Sequence, residues 1–549
     1  MSKTEYDSKM NAILMDMCTY KRVRKDPTTG LQEKNNKLVT KLFELKLIDE
    51  KVKYNLINRT SIPPKIYGLP KIHKEGTPLR PICSFTNSPT YELSRYISKI
   101  LKVLTVDSKY NIKDAIDFKS RINNQHIEDD EILISFDVIS LFPSIPVNLA
   151  ISAIKDSWSI IKEHTHIPMD LFIDILTTCI KDARYFAYKD KIYEQQKGMP
   201  MGSPISPIIA DIIMEKLLDE TMNKLTIKPR FLTKYVDDIF CIVKKEEVEN
   251  TLKTLNMYNK QLRFTMESEL NNQLPYLDSL VQREGKKLLL DWYQKPTASG
   301  RLINYHSKHP RRIKINTATN FIQRVLKISD RKFHAKNKIK IIKILKMNDF
   351  PSNIVNELIK RAEGNRAYQN TKLVEKTYKR STYIPGFSER FSSSNMYNSE
   401  KYQLAFRSSN TNNNFFSRTK TKIPHEDKSN VVYKIKCNGD GSNVCQKAYV
   451  GTTKSKLKTR ISSHKSDQKT ITKPIEQKTA LAAHCQQEGH TPNFKDVDIL
   501  AQENNYKRRY MLEMLHIINV PPNKRMNYKT DTEHCAQIYR NVIEKHKKN

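Results

Sequence analysis

From Phe231 to Val243 the chain reads FLTKYVDDIFCIV. Two short apolar runs, rich in β-branched and aromatic residues, flank the acids Asp237 and Asp238. Such runs predict two buried strands, with the acid pair in the tight turn between them. A further run, EILISFDVISLFPSIP, predicts a strand that releases Asp137 at its end. Elsewhere helical spacing dominates. Over residues 1 to about 60 charged and apolar positions alternate with that period, as in KLVTKLFELKLIDEKVKYNLI, and predict a helical lead-in. Residues 91 to about 127 and 147 to 182 also read as helices. RYFAYKDKIYEQ predicts a hairpin, and GMPMGSPISPIIADIIMEKLLDE a Gly/Pro loop that opens a helix. The stretch after the acid hairpin, from FTMESEL to KPTASG, is strand-rich. Residues 301 to about 380 read as helical and very basic.

The texture differs in two places. IPPKIYGLPKIHKEGTPLRPICSF is Pro-rich, so its backbone must be extended or turned. It carries Lys65, Lys71, His73, Lys74 and Arg80, which suit either a solvated loop or a cationic fingertip over phosphate. Residues 381 to about 429 lose periodicity, and SSSNMYNSE and SSNTNNN mark a connector with short strands. Pattern returns near Asn430, the sharpest boundary in the chain.

Composition narrows the partners. The 549 residues carry 95 Lys+Arg against 59 Asp+Glu, a net of +36. That excess favours a polyanion, and the nucleic-acid backbone is the usual one. No apolar run is long enough to span a bilayer, so no membrane partner is expected. With 38% hydrophobic residues the length suggests about three to five domains. The opening MSKTEYDSKM carries no secretory signal, and Cys18, Cys83, Cys179 and Cys241 show no ligand spacing. A reduced intracellular compartment is expected.

Metal-assisted phosphoryl transfer needs acids held close together, so that two divalent ions can clamp the attacking and leaving oxygens. Asp137 and Asp237 would converge if their strands were neighbours in one sheet. An Asp-Asp turn by itself is equally an ordinary turn. The chain, however, resembles the reverse transcriptases, most closely those of Penelope-like retroelements. The matching pieces occur in the family's order: YGLPKIHK, LRPICS, FDVISLFPSIP, GMPMGSPISP, YVDD, LPYLD and WYQKPTASGRLINYHSKHP. The resemblance covers roughly residues 60 to 310. It implies an α+β multidomain chain with a right-hand polymerase of fingers, palm and thumb around an antiparallel palm sheet. It also implies addition of dNTPs to a DNA 3′ end on an RNA template.

By this resemblance Asp137 and Asp237 are the principal ligands of two Mg2+ ions, with Asp238 the supporting acid. Phe142 falls at the family's steric gate against a ribose 2′-OH; core packing is the rival reading. Arg80 would hold triphosphate, assisted by Lys71. Gly198, Gly202, Ser203 and Pro204 form the loop that approaches nucleotide and template. Met201 stands where many relatives carry Gln, so that amide contact does not transfer. Relatives have more sequence before the position of Ser2–Tyr6, so a late start is expected, from truncation or a misplaced first codon.

Residues 430–549 contain NVVYKIKC, KAYVGTTKSKLKTRISSHK and YMLEMLHI. They resemble the small α/β GIY-YIG endonuclease domain that Penelope-like elements carry. Arg460 and His464 lie four residues apart, on one face of a predicted helix. By resemblance Tyr433 helps activate water with Tyr449 beside it, Arg460 stabilises phosphate, His464 assists proton movement, and Glu513 binds one Mg2+. Asn527 falls near the fold's final polar position. Strand tyrosines and a structural Arg–Glu pair are the plainer readings. Cys437, Cys445, His484 and His490 suit a structural Zn2+ site, and related elements have a similar set. Free cysteines and surface histidines are the competing reading, and Cys485 competes with His484.

The expected organisation is a helical region 1–60, fingers and palm 61–300, a basic helical thumb 301–380, a connector 381–429 and a nuclease 430–549. The leading function is an RNA-directed DNA polymerase of a retrotransposon, with an endonuclease that nicks target DNA to supply the primer. Its place of action would be the nucleus. A domesticated or defective telomerase-like polymerase without nuclease activity is the second reading. A non-catalytic basic RNA-binding protein is the third.

Overall fold

The computed structural model describes residues 1–541 apart from 73, 201, 365–376, 394–401, 409–411, 417–418, 442–443, 471–473 and 540. His73, Met201 and parts of the two Ser/Asn-rich stretches lie outside the described residues. The chain opens with α1 (Lys3–Leu14), β1 (Tyr20–Val23), α2 (Thr28–Glu44), α3 (Glu50–Leu56) and the hairpin β2 (Lys65–Pro70) and β3 (Leu79–Ser84). Helices α4 (Tyr91–Leu101) and α5 (Ala115–Ile122) lead to β4 (Glu131–Val138). Then come α6 (Leu141–Ser144), α7 (Val147–Asp156), α8 (Trp158–Ile161), α9 (Met169–Thr177), β5 (Tyr185–Tyr188), β6 (Lys191–Gln195) and α10 (Ser206–Lys224). The acid hairpin is β7 (Phe231–Tyr235) and β8 (Asp238–Lys244), followed by α11 (Val248–Met257). Strands β9 (Phe264–Ser268), β10 (Gln273–Tyr276), β11 (Ser279–Glu284) and β12 (Lys287–Trp292) complete this half.

The lead-in is not purely helical. Tyr20–Val23 is a strand, antiparallel to β6 at the edge of a five-stranded sheet in the order β1-β6-β5-β2-β3. Its Lys21 and Arg22 stay exposed, while the Tyr20 ring meets Phe186 edge-on at 5.6 Å. Met10 and Leu14 of α1 bury into the same cluster as Ile66, Leu79 and Tyr185. Residues 1–23 therefore fold with the Pro-rich hairpin instead of preceding it.

The second sheet has the order β7-β8-β4-β9, with every pair antiparallel. Ile239 to Val243 of β8 are all buried, because both faces of the sheet are covered. One face packs on α4, α7, α9 and α10 through Ile134, Phe136, Ile239 and Cys241. The other packs on α5 and the β10–β12 sheet, where Phe240 meets Phe118 at 5.0 Å and Tyr276 at 5.3 Å. Double coverage explains a continuous apolar run where a one-sided sheet would alternate. Each such side chain contributes about 1.5–3 kcal/mol of burial.

Helices α12 (Arg311–Ile328), α13 (His334–Met347) and α14 (Ser352–Glu363) pack around Ile322, Val325, Ile341, Leu345 and Val355. The predicted basic helical stretch ends sooner than residue 380, because β13 (Thr377–Thr382) is a strand, parallel to β14 (Tyr402–Arg407), with α15 (Phe387–Ser393) between them. The last unit has β15 (Val431–Lys436), β16 (Ala448–Thr453), α16 (Leu457–Lys469), α17 (Ala480–Glu488), β17 (Asp498–Gln502) and α18 (Tyr506–Asn519). Its sheet runs β16-β15-β17, all antiparallel. Among the described residues no helix is long and apolar enough to cross a membrane.

Two glycines fix the loop before α10. Gly198 (φ +73°) lies so close to Pro143 that an added Cβ would sit 2.2 Å from its carbonyl oxygen. At Gly202 (φ +97°) an added Cβ would sit 1.9 Å from the Cys83 carbonyl oxygen on β3. The loop is thus wedged between α6 and the first sheet. Gly202→Ala should destabilise the chain by about 1–3 kcal/mol, read as a lowered denaturant midpoint; an unchanged midpoint would show that the wedge yields freely.

Candidate functional site

Sheet register creates the first site. Phe136 of β4 pairs with Ile239 of β8, so Asp137 emerges beside the β7–β8 turn. That turn is two residues long, since Tyr235 pairs with Asp238 across Val236 and Asp237. Val236 has φ +58°, a left-handed conformation that a β-branched side chain resists. Strain of this kind persists only where the surroundings over-determine it. From behind, the Tyr276 hydroxyl donates to the Asp238 carbonyl at 3.1 Å.

One carboxylate oxygen from each of Asp137, Asp237 and Asp238 lies within 4.8 Å of the other two. Burial, then the charge of Asp237, raises the Asp137 carboxyl above the usual range. Burial, then Asp237 and Asp137, pushes Asp238 up to about 6. Like charges held this close disfavour joint ionisation, and a divalent cation with oxygen ligands reverses that cost. The donor set fits magnesium. Beside it a cavity of about 610 Å³ is lined by Asp137, Asp238, Glu267, Tyr293 and Lys295 among others.

The remaining predicted polymerase residues lie on the β2–β3 hairpin, in α6 and in the loop before α10. Lys71 and Arg80 are on the β2–β3 hairpin, with Arg80 exposed and paired in register with Leu69. Lys74 is the hairpin residue whose charge acts on Asp137. Phe142 is half-buried against the main core, and its carbonyl accepts the Met199 N–H at 2.7 Å. Gly198 and Met199 thus press the start of the loop against the Phe142–Pro143 segment. Ser203 is buried with its hydroxyl unpaired, and the Pro204 carbonyl accepts from Ser98 Oγ at 3.0 Å. Sequence reading assigned no role to Glu267 or Lys295. Glu267 sits across β4 opposite Ser135, on the face of Asp137, a placement visible only once β9 is paired.

A second constellation forms in the last unit. Tyr433 on β15 pairs with Gly451 on β16. A Cβ on Gly451 would lie 2.8 Å from both the Tyr433 hydroxyl and the Tyr449 ring, so glycine makes room for both tyrosines. Arg460 Nε donates to the Tyr433 hydroxyl at 3.1 Å, and His464 Nε2 lies 2.7 Å from the same oxygen. Burial, then the Arg460 charge, pushes His464 down to about 4, so its ring is neutral near pH 7. Burial raises both tyrosines. Glu513 on α18 is pushed up to about 7, by burial first and then by Asp531. Asp531 went unassigned in the sequence reading. Asn527 clasps β16 through both Val450 backbone groups, at 2.9 and 2.8 Å.

Cys437, Cys445, His484 and His490 also converge, with ligand atoms all within 4.8 Å of one another. Cys445 Sγ is 3.7 Å from His484 Nε2, which is 3.3 Å from His490 Nδ1. Two thiols and two imidazoles at this spacing suit tetrahedral zinc. The competition between His484 and Cys485 falls to His484. Cys485 instead packs in the apolar core beside Leu481, where burial pushes its thiol up to about 12.

Residues 72–271 match the family model described as Reverse transcriptase (RNA-dependent DNA polymerase), and residues 301–360 match the Animal helix-turn-helix domain. The second match spans α12 to α14 and was not anticipated from the sequence. A search of curated proteins found no match. Among solved structures, apo telomerase from Candida tropicalis is similar at 12% identity and TM-score 0.39, covering 65% of this chain and 62% of that one. Telomerase from Candida albicans in complex with a telomeric RNA fragment is similar at 12% identity and TM-score 0.38, covering 60% and 63%. The RNA-dependent RNA polymerase of a human picorbirnavirus is similar at 10% identity and TM-score 0.37, covering 65% and 71%. The chain therefore spans less than two thirds of the length of these two telomerases.

A carboxyl raised in the folded state favours folding while protonated, and that advantage is lost as pH climbs through the folded value. Without metal, stability should therefore fall between about pH 4 and pH 7 as Asp137 and Asp238 ionise. Asp238→Asn should flatten that fall and raise stability at neutral pH by on the order of 1–2 kcal/mol after screening, seen as a higher melting temperature. Melting curves in chelator across this range test it, and a steeper fall in the variant would contradict it.

Proposed function

We propose that the reverse transcriptase domain of residues 72–271 serves a Penelope-like retroelement as an RNA-directed DNA polymerase, and that residues 430–549 are a GIY-YIG-type endonuclease. The observation that carries the first part is the convergence of Asp137, Asp237 and Asp238 from adjacent strands inside the matched stretch. Asp137 and Asp237, with Asp238 in support, would hold two Mg2+ ions. When bound, these ions supply charge neutralisation at the attacking and leaving oxygens. The Gly198–Pro204 loop would cradle the nucleotide over Phe142, whose half-buried ring would exclude a 2′-OH. Arg80 and Lys71 would neutralise triphosphate from the hairpin, a role a guanidinium fork suits. The basic unit α12–α14 would track the RNA–DNA duplex as a thumb.

The second centre supports phosphodiester hydrolysis. Tyr433 sits between a cation and a neutral imidazole, so its hydroxyl can donate a hydrogen bond to His464 Nε2 while accepting one from Arg460 Nε. Its remaining lone pair would orient the attacking water. Arg460 also supplies positive charge for the phosphate, Tyr449 walls the pocket, and Glu513 would hold one Mg2+. A nick in chromosomal DNA, made in the nucleus, would supply the 3′ end that the polymerase extends.

Full-length protein with a primed RNA template, dNTPs and Mg2+ should extend the primer. Asp237→Ala should lower extension by more than the roughly 10–100-fold typical of outer-shell changes, yet still nick supercoiled plasmid. Glu513→Ala should show the reverse pattern. Full extension by Asp237→Ala would refute the polymerase reading, and undiminished nicking by Glu513→Ala the nuclease reading.

The same reading gives Cys437, Cys445, His484 and His490 a structural zinc. Metal analysis of the full chain should find one zinc per molecule, lost together with several degrees of melting temperature in Cys445→Ser. Purified protein free of zinc but equally stable would dismiss the site.

A further inference from the structure

Three residues before Asp237, the chain buries a lysine completely. Lys234 is 0% exposed, which is rare for lysine unless it is paired. Its Nζ contacts Asp211 Oδ1 and Asn111 Oδ1, and reaches Glu215 Oε1 at 3.1 Å. Asp211 and Glu215 are one turn apart on α10, so both carboxylates face the same way. Each is itself held: Asn111 Nδ2 donates to Asp211 Oδ2 at 3.1 Å, and Ser108 Oγ donates to Glu215 Oε1. The backbone adds a second tie. Lys234 N–H donates to the Tyr110 carbonyl at 2.8 Å, and Ile112 N–H donates to the Lys234 carbonyl at 3.0 Å. Residues 110–112 thereby cover the outer edge of β7.

Burying an ion cluster is a poor way to gain stability, since apolar side chains of similar volume do as well or better. What three acceptors converging on one ammonium do provide is a fixed point. That point joins two parts of the polymerase centre. Helix α10 grows directly out of the Gly198–Pro204 loop, while β7 runs into the left-handed Val236 and on to Asp237. A strained turn keeps its geometry only if its neighbours over-determine it.

We propose that Lys234 is a positioning residue of the polymerase centre. It anchors β7 to α10 and to residues 108–112, and so holds the Val236–Asp237 turn where its acids meet Asp137. The inference rests on the polymerase reading above and names a residue on which metal binding at that centre depends.

Full-length protein carrying Glu513→Ala, which removes the second acidic centre, is the background for the test. Mn2+ binding is followed by the electron paramagnetic resonance of the free ion, without nucleotide, beside primer extension and primer–template affinity. The uncharged triple variant Lys234→Met/Asp211→Asn/Glu215→Gln removes the cluster without stranding a buried charge. It should melt within a few degrees of its parent and bind primer–template equally, yet weaken Mn2+ binding and raise the Mg2+ needed for half-maximal extension by about tenfold. Glu215→Gln alone keeps the shape of the cluster, and should shift both metal readouts the same way by about threefold. Parental Mn2+ affinity in a folded triple variant, or in Glu215→Gln if the triple fails to fold, overturns the proposal. Failure of the parent to extend, or full extension by Asp237→Asn, defeats the polymerase reading instead and is seen separately.

Discussion

Three carboxylates that repel one another are the constraint on which this structure turns. At an effective dielectric near 20, two unit charges about 5 Å apart repel by roughly 3 kcal/mol. Asp137, Asp237 and Asp238 have oxygens within 4.8 Å of each other, so their strands must be held against a force that would splay them. The surroundings provide this. β8 is buried on both faces, Phe240 is locked between Phe118 and Tyr276, and Tyr276 also bonds the Asp238 backbone. Burial first, and then that repulsion, raises the Asp137 and Asp238 carboxyls.

The two candidate centres solve opposite problems. The first concentrates negative charge and relies on sheet register to bear it. The second buries neutral and positive groups: a phenol, a neutral imidazole and a guanidinium around one oxygen. Its precision comes from the missing side chain at Gly451, which lets two tyrosine rings share the space above one strand. The Cys/His cluster gathers the end of β15, the loop before β16 and helix α17 at one point. A bound zinc would therefore staple elements far apart in the chain.

Legibility followed the range of the interactions. The acid hairpin, the strand bearing Asp137 and the loop opening α10 were readable because each is a local pattern bounded by turn residues. Strand β1 was not: four residues with two exposed cations, inside a helical stretch, become a strand only through pairing with β6. The early end of the basic helical stretch at β13 has the same origin, in pairing with β14. The choice of His484 over Cys485 was likewise beyond reach, since adjacent residues on a helix point apart and only the packing of α17 selects one.

By itself, then, the sequence determined the strand and helix periods, the acids at the ends of apolar runs, the glycines of the loop and the excess positive charge. These are one-dimensional properties, set by residue type and spacing. Only the tertiary structure decided which groups share a site: Glu267 and Lys295 beside the acids, Asp531 beside Glu513, and Lys234 beneath the turn with Asp211, Glu215 and Asn111. Coulomb forces and hydrogen bonds act over a few ångströms of space, whatever the separation along the chain. Partners 23 and 123 residues from Lys234 become its neighbours only when the sheet and α10 are packed.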